Sequence, residues 1–245
     1  PHFGVPEAFE SEFKSVIEEK KQGTETYIKH MISQLTGEHL KNFEFGKITF
    51  YQEHSKTLGL ELYGTPANPI GEELLVKIER DGVETEYRIN FNEGRIDEVP
   101  TGTAKLRSHR VANRVYEIKE FKPAGTEALK EQAQTPPDGS PTDAFASPRV
   151  GLIAKAFVEH INLDNNAIKQ QARGQTTADN NQDRAEVVQE FLLDLVPFRS
   201  AIQNFRAGKI GEGIFDLGLD LFGFVTAGAA TAGKIAKIAG TAASR

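Results

Sequence analysis

The chain has 245 residues, a net charge of −6 and no cysteine. Its length corresponds to one or two domains, and its hydrophobic and charged fractions of 38% and 26% are ordinary for a globular protein. The acidic balance argues against a nucleic-acid partner, because phosphate binding requires a basic surface. The lack of cysteine excludes disulfides, thiol catalysis and thiolate metal sites.

The first residues predict neither a complete chain nor a secretory leader. The sequence begins with proline and has no basic stretch followed by an apolar one. We therefore expect no signal peptide in it and interpret it as a piece of a longer protein.

Residues 7–45 predict helices. An apolar stripe from Phe9 to Ile17 recurs at helical spacing, and Gly23 is expected to end that helix. A second stripe over residues 27–35 is expected to end at Gly37.

The spacing of apolar residues changes after Gly46 from a helical to an alternating one. Residues 46–122 therefore predict a small antiparallel sheet. Five segments carry β-branched and aromatic residues with partial alternation: KITFYQEH, LGLELYG, EELLVKIER, VETEYRINF and NRVYEIKEF. Asp81-Gly82 between two of them predicts a β-hairpin.

The next segment, residues 123–147, is rich in proline and predicts a linker or long loop, with one helical turn at ALKEQ. Ser147 and Pro148 then form a helix start, Asp164 is expected to cap the next helix, and Gly174 to end it. We predict an α+β fold: N-terminal helices with the antiparallel sheet (1–122), the linker (123–147) and a C-terminal α-helical bundle (148–245).

The Gly/Ala-rich stretch from Gly213 to Gly233 has the length of a membrane span. Its longest uncharged run is thirteen residues, short of the roughly twenty that a span needs. Each aspartate inside it costs about 2.5–3.5 kcal/mol on insertion. We expect a packed helical hairpin, with insertion in acid as the alternative. The candidate membrane-contacting and pH-sensing residues are Glu212, Asp216, Asp220, Lys234 and Lys237.

Two other patterns in the sequence bear on its chemistry. Residues 228–234 match the G-x-x-x-x-G-K phosphate loop, but Ile235 replaces the Ser or Thr that binds magnesium, so we expect no nucleotide or other cofactor. None of the six histidines has a metal-ligand spacing, and His160 near a helix end is expected to be solvated or paired with the helix dipole. We therefore predict no catalytic or metal-binding residue.

One basic cluster stands out in the sheet region. It comprises Lys105, Arg107, Arg110 and Arg114 within ten residues. Such a cluster suits an acidic partner or lipid headgroups, and equally the solvated edge of a sheet.

The region from Pro148 onward resembles a part of large bacterial toxins and secreted effectors of the dermonecrotic-toxin-like and insecticidal-toxin-like type. The resemblance rests on IA…V.H at 153–160, ARGxT at 172–176, DLVPF at 194–198 and DLGLD at 216–220. It covers about 100 residues, and its motifs are structural. It implies a module of a toxin that is secreted and delivered to a target cell, and it transfers no catalytic residue.

Three functions remain open at this point. The first is a non-catalytic toxin module for targeting, delivery or pH-dependent membrane engagement, with host membrane lipid or a host protein as partner. The second is part of an effector enzyme whose site lies at the sheet–helix junction near residues 123–148. The third is an adaptor that binds a host or chaperone protein through exposed N-terminal helices.

Overall fold

A computed structural model describes the backbone of residues 5–57, 73–91, 93–140 and 143–178. The Gly/Ala-rich stretch 213–233, the phosphate-loop match and the predicted strand at residues 58–64 lie outside these ranges. So do most of the C-terminal bundle and all five candidate membrane residues. The described part is α+β, with N-terminal helices and an antiparallel sheet, as the sequence predicts.

Two helices open the fold: α1 covers Val5–Ser33 and α2 covers Gly37–Phe45. The predicted break at Gly23 is wrong, because α1 passes through this residue without interruption. Glycine in a helix costs about 1 kcal/mol relative to alanine. Gly23 is buried between two apolar stripes that lie on the same helix, and the packing of both stripes outweighs this cost.

Within the described residues, six strands form one antiparallel sheet: β1 (Lys47–Thr57), β2 (Glu73–Arg80), β3 (Val83–Asn90), β4 (Arg95–Val99), β5 (Ser108–Val111) and β6 (Arg114–Phe121). Their order across the sheet is β4-β3-β2-β1-β6-β5. Asp81 and Gly82 join β2 to β3 with φ angles of 53° and 79°, the positive values that a type I′ hairpin turn requires. The predicted hairpin is thus confirmed.

One face of the sheet is covered by helices. The helix α3 (Pro148–Ile161) begins at the predicted Ser147 cap, whose side chain accepts a hydrogen bond from Val150 N. Phe91 lies in the shared core, with its ring centroid 5.1 Å from that of Tyr27 on α1 and 5.8 Å from that of Phe157 on α3. The sheet, α1, α2 and α3 therefore contribute to one hydrophobic core.

The other face of the sheet carries a small second cluster. Leu75 and Ile118 are covered by Ala104, which lies in a short 3-10 turn, Thr103–Lys105. The buried carboxylate of Glu86 accepts hydrogen bonds from the backbone N–H groups of Gly102 and Ala104 and so fixes this turn on the sheet.

The proline-rich segment 123–147 contacts the rest of the fold at several points. Leu129, in the 3-10 turn Glu127–Lys130, is fully buried in the main core. Gln132 exchanges two hydrogen bonds with Asp81, of 2.9 and 2.7 Å, and Ala133 N donates to Phe45 O at 2.8 Å. This segment joins α3 to the hairpin and to α2.

The last described helix, α4, covers Asn166–Ala178. Asn165 caps it by accepting from Ile168 N at 2.9 Å, so the predicted cap at Asp164 is displaced by one residue. Gly174 does not end the helix. Ile168 and Ala172 enter the same core as α1, and the boundary between the predicted parts 1–122 and 148–245 remains a prediction.

Candidate functional site

A buried histidine lies where α3 crosses the sheet. The amphipathic stripe of α3 places His160 one turn after Phe157, and its ring centroid lies 5.8 Å from that of Phe157 and 6.2 Å from that of Phe121 on β6. Its Nδ1 lies 3.0 Å from Nε2 of Gln52 on β1. Since an amide nitrogen only donates, Nδ1 accepts this hydrogen bond and the proton of the neutral imidazole is on Nε2.

Burial lowers the pKa of His160 from its ordinary 6.5 to about 4, because the apolar surroundings disfavour the charged ring. The nearby His54 adds a smaller lowering, and the polar backbone of Glu73 acts in the opposite direction. The expectation of a solvated or dipole-paired His160 is therefore wrong. The apolar stripe continues to the end of α3 and carries the ring into the core.

A second buried histidine, His30, lies in the last turn of α1. The negative end of the helix dipole favours a protonated ring at such a position. Burial outweighs it and lowers the pKa of His30 to about 4. Both histidines are thus neutral at pH 7, and each is in a different helix of the same fold.

The predicted basic cluster lies on one edge of the sheet, but it does not form one face. All four cations are exposed, and β5 is an edge strand. Arg110 pairs with Val115 and Arg114 with Val111, so the alternation of strand side chains directs Arg110 and Arg114 to opposite faces. Arg110 Nε also donates to Ala112 O within the hairpin, at 2.8 Å.

A pocket of about 220 Å³ lies between α2 and the loop of residues 135–140. Its buried charged residue is Glu44, which is not among the predicted site residues. A signal was present, because Glu44 follows Leu40 by four residues and so shares its face of the helix. Burial and the charge of Asp143 raise the pKa of Glu44 above its ordinary value.

A larger and more open groove of about 670 Å³ lies between α1 and α4. Charged residues on its rim pair with each other. Lys169 contacts Glu10, which also lies 3.3 Å from Arg173, and Lys21 Nζ lies 3.0 Å from Asp164. The contacts of Glu10 tie α1 to α4, and the contact of Lys21 ties α1 to the turn before α4.

Two negative findings concern the described ranges alone. In them, no group of three or more His, Asp or Glu side chains is arranged to hold a metal ion. None of the helices over 5–178 combines the length and the apolar composition that crossing a bilayer requires.

Comparisons with protein-family models, with curated protein sequences and with solved structures found no match to this chain.

Proposed function

We propose that this chain is a non-catalytic module of a bacterial secreted toxin or effector, whose fold loosens in acid and which then engages a membrane during delivery. The C-terminal bundle, with residues 209–240 as membrane contact, is the part that enters the lipid. The remainder of a larger toxin chain and host membrane lipid are its partners.

The observation that carries this proposal is the pair of neutral histidines buried in the core that α1, α3 and the sheet share. The pKa of each ring is about 4 in the folded chain and 6.5 when exposed. Between these values the unfolded chain binds more protons than the folded one. The stability is therefore fully present above pH 6.5 and falls as the pH decreases towards 4, by about 2 kcal/mol for each ring at pH 5.

The sequence of the C-terminal stretch supports the second half of the proposal. Protonation of Glu212, Asp216 and Asp220 removes much of the cost of inserting Gly213–Gly233. Lys234 and Lys237 follow this stretch and suit the lipid interface. The same fall in pH that destabilises the helical core thus favours insertion.

One further observation agrees with a delivery module. The resemblance of residues 148–240 to toxin modules supports secretion and a target cell. Against the adaptor alternative, the apolar stripe of α1 is not exposed but is buried in the fold itself.

Vesicle flotation tests the proposal. Vesicles with anionic phospholipid are mixed with the chain at pH 7.4 and pH 5, floated through a density gradient, and the bound fraction is measured. We expect binding at pH 5 that Asp216→Lys and Asp220→Lys each reduce, because lysine stays charged in acid. Glu120→Lys, an exposed carboxylate on β6, serves as the control and should float as the wild type does. Equal recovery at both pH values would contradict the proposal.

A further inference from the structure

The pocket between α2 and residues 135–140 combines apolar and polar wall residues with one buried carboxylate. The walls include Leu40, Phe45, Pro136 and Pro137. The carboxylate belongs to Glu44, whose side chain lines the pocket and is 5% exposed. A carboxylate is rarely buried to this extent without a cation or several hydrogen bonds.

The described residues supply no such partner for Glu44. Its Oε1 is buried and has no hydrogen-bond donor within reach. Lys41 lies on the pocket wall, but its Nζ is 3.5 Å from Oε1 of Glu38 on the outer side of α2. The buried carboxylate of Glu44 therefore has no cationic side chain as a partner among the described residues.

The surroundings of Glu44 add negative charge. Asp138 lies on the pocket wall, and Asp143 is close enough to raise the pKa of Glu44. A cation that enters the pocket therefore meets a favourable potential from more than one carboxylate. Such an arrangement attracts cations and repels anions.

We propose that this pocket binds an alkylammonium or alkylguanidinium group, with the Glu44 carboxylate as its counterion and the apolar walls around its stem. The volume suits a group of the size of a lysine or arginine side chain and is below the 300–1,000 Å³ of pockets for drug-sized ligands. A hard metal ion is less suited, because calcium and magnesium require six or more oxygen ligands and four of the wall residues are apolar. This inference does not depend on the proposed membrane function.

An NMR titration of the ¹⁵N-labelled chain tests the site. The probe is n-butylammonium, with n-butanol as the uncharged control, at constant ionic strength. We expect saturable shifts at the amides of Leu40 to Phe45 and residues 135–140 with n-butylammonium, and none with n-butanol. Glu44→Gln should weaken the affinity at least about tenfold, since it removes the charged hydrogen-bond acceptor. The matched control Glu120→Gln, an exposed carboxylate on β6, should leave the affinity unchanged.

The pH dependence gives a second readout that needs no variant. Because a bound cation favours the charged carboxylate, n-butylammonium should lower the apparent pKa of Glu44, and the affinity should rise with pH through that pKa. A pH-independent affinity would contradict the assignment of Glu44 as the counterion. So would the absence of shifts with n-butylammonium, or equal shifts in the wild type and Glu44→Gln.

Two further probes distinguish the sources of the cation. Tighter binding of 1,4-diaminobutane than of N-acetyl-lysine methylamide assigns the site to a free amine. The reverse order assigns it to a lysine side chain of a partner protein. Either order supports the site, whereas failure of both to compete with n-butylammonium would overturn it.

Discussion

Single residues decide the acid response of this fold. His160 is neutral because the aromatic rings of Phe121 and Phe157 surround it and because Nδ1 accepts from Gln52. Protonation of Nδ1 would set two donors against each other and force the Gln52 amide to turn. The ring therefore stays neutral until the pH is well below 6.5, the pKa of a solvated histidine.

Replacing the Gln52 amide by a carboxylate should favour the protonated form of His160 over the neutral one. In Gln52→Glu an anion lies within hydrogen-bond distance of Nδ1, which stabilises the charged ring. We expect the pKa of His160 to rise from about 4 by roughly 1–3 units, as measured by NMR titration of the imidazole ring.

The matched control for this experiment is Gln34→Glu, an exposed residue beyond the end of α1. It should leave the His160 titration unchanged. An unaltered pKa of His160 in Gln52→Glu would show that the hydrogen bond between the two side chains does not govern the ring.

For single residues, the sequence could predict where a side chain lies on its helix but not whether other parts of the chain bury it. The apolar stripe of α3 indicates that His160 lies near the apolar face of the helix. Only the packing of β1 and β6 on that face shows that the ring is buried away from water. Glu44 is similar, because its burial depends on residues 135–140 returning to α2. Contacts between residues a hundred positions apart carry no local signal.

Some secondary-structure elements can be predicted from their own residues, and others cannot. The alternation in β2 and β3 and the Asp81-Gly82 turn were sufficient to predict that hairpin, and Ser147-Pro148 to predict the start of α3. The strands β4 and β5 were not predicted. Both are short edge strands, of five and four residues, whose pairing with β3 and β6 fixes them in place.

The proline-rich segment 123–147 is predicted as a linker or long loop, and its burial bears on how much it contributes to stability. As a linker it would tolerate loss of its apolar side chains, but Leu129 is fully buried in the main core. We expect Leu129→Ala to lower the free energy of unfolding by about 2–5 kcal/mol, because it removes buried methyl groups and leaves a cavity. Urea denaturation at pH 7.5 measures this change.

Leu106→Ala provides the comparison for that substitution. Leu106 is 50% exposed, and its truncation should change the stability by no more than about 0.5 kcal/mol. Equal and small effects of the two substitutions would contradict the burial of Leu129 in the main core.

For the whole molecule, the free energy of unfolding depends on pH through titratable groups that act in opposite directions. The raised pKa of Glu44 means that the folded chain binds its proton more readily, so this group adds stability as the pH falls. Arg80 lowers the pKa of Glu38, whose contribution is lost only below the ordinary carboxylate range near 4.5. Among the described groups with a shifted pKa, His30 and His160 are the ones that lose stability between pH 7 and pH 5.

The most direct test is the free energy of unfolding at pH 7 and at pH 5, measured by urea denaturation of the wild type and of the double variant His30→Gln/His160→Gln. We predict that the wild type loses about 4 kcal/mol more than the variant between the two pH values, the sum of two rings whose pKa changes from about 4 to 6.5 on unfolding. Other titrating groups are present in both proteins and cancel in the difference. The same loss in the wild type and in a folded variant would contradict the acid-responsive core.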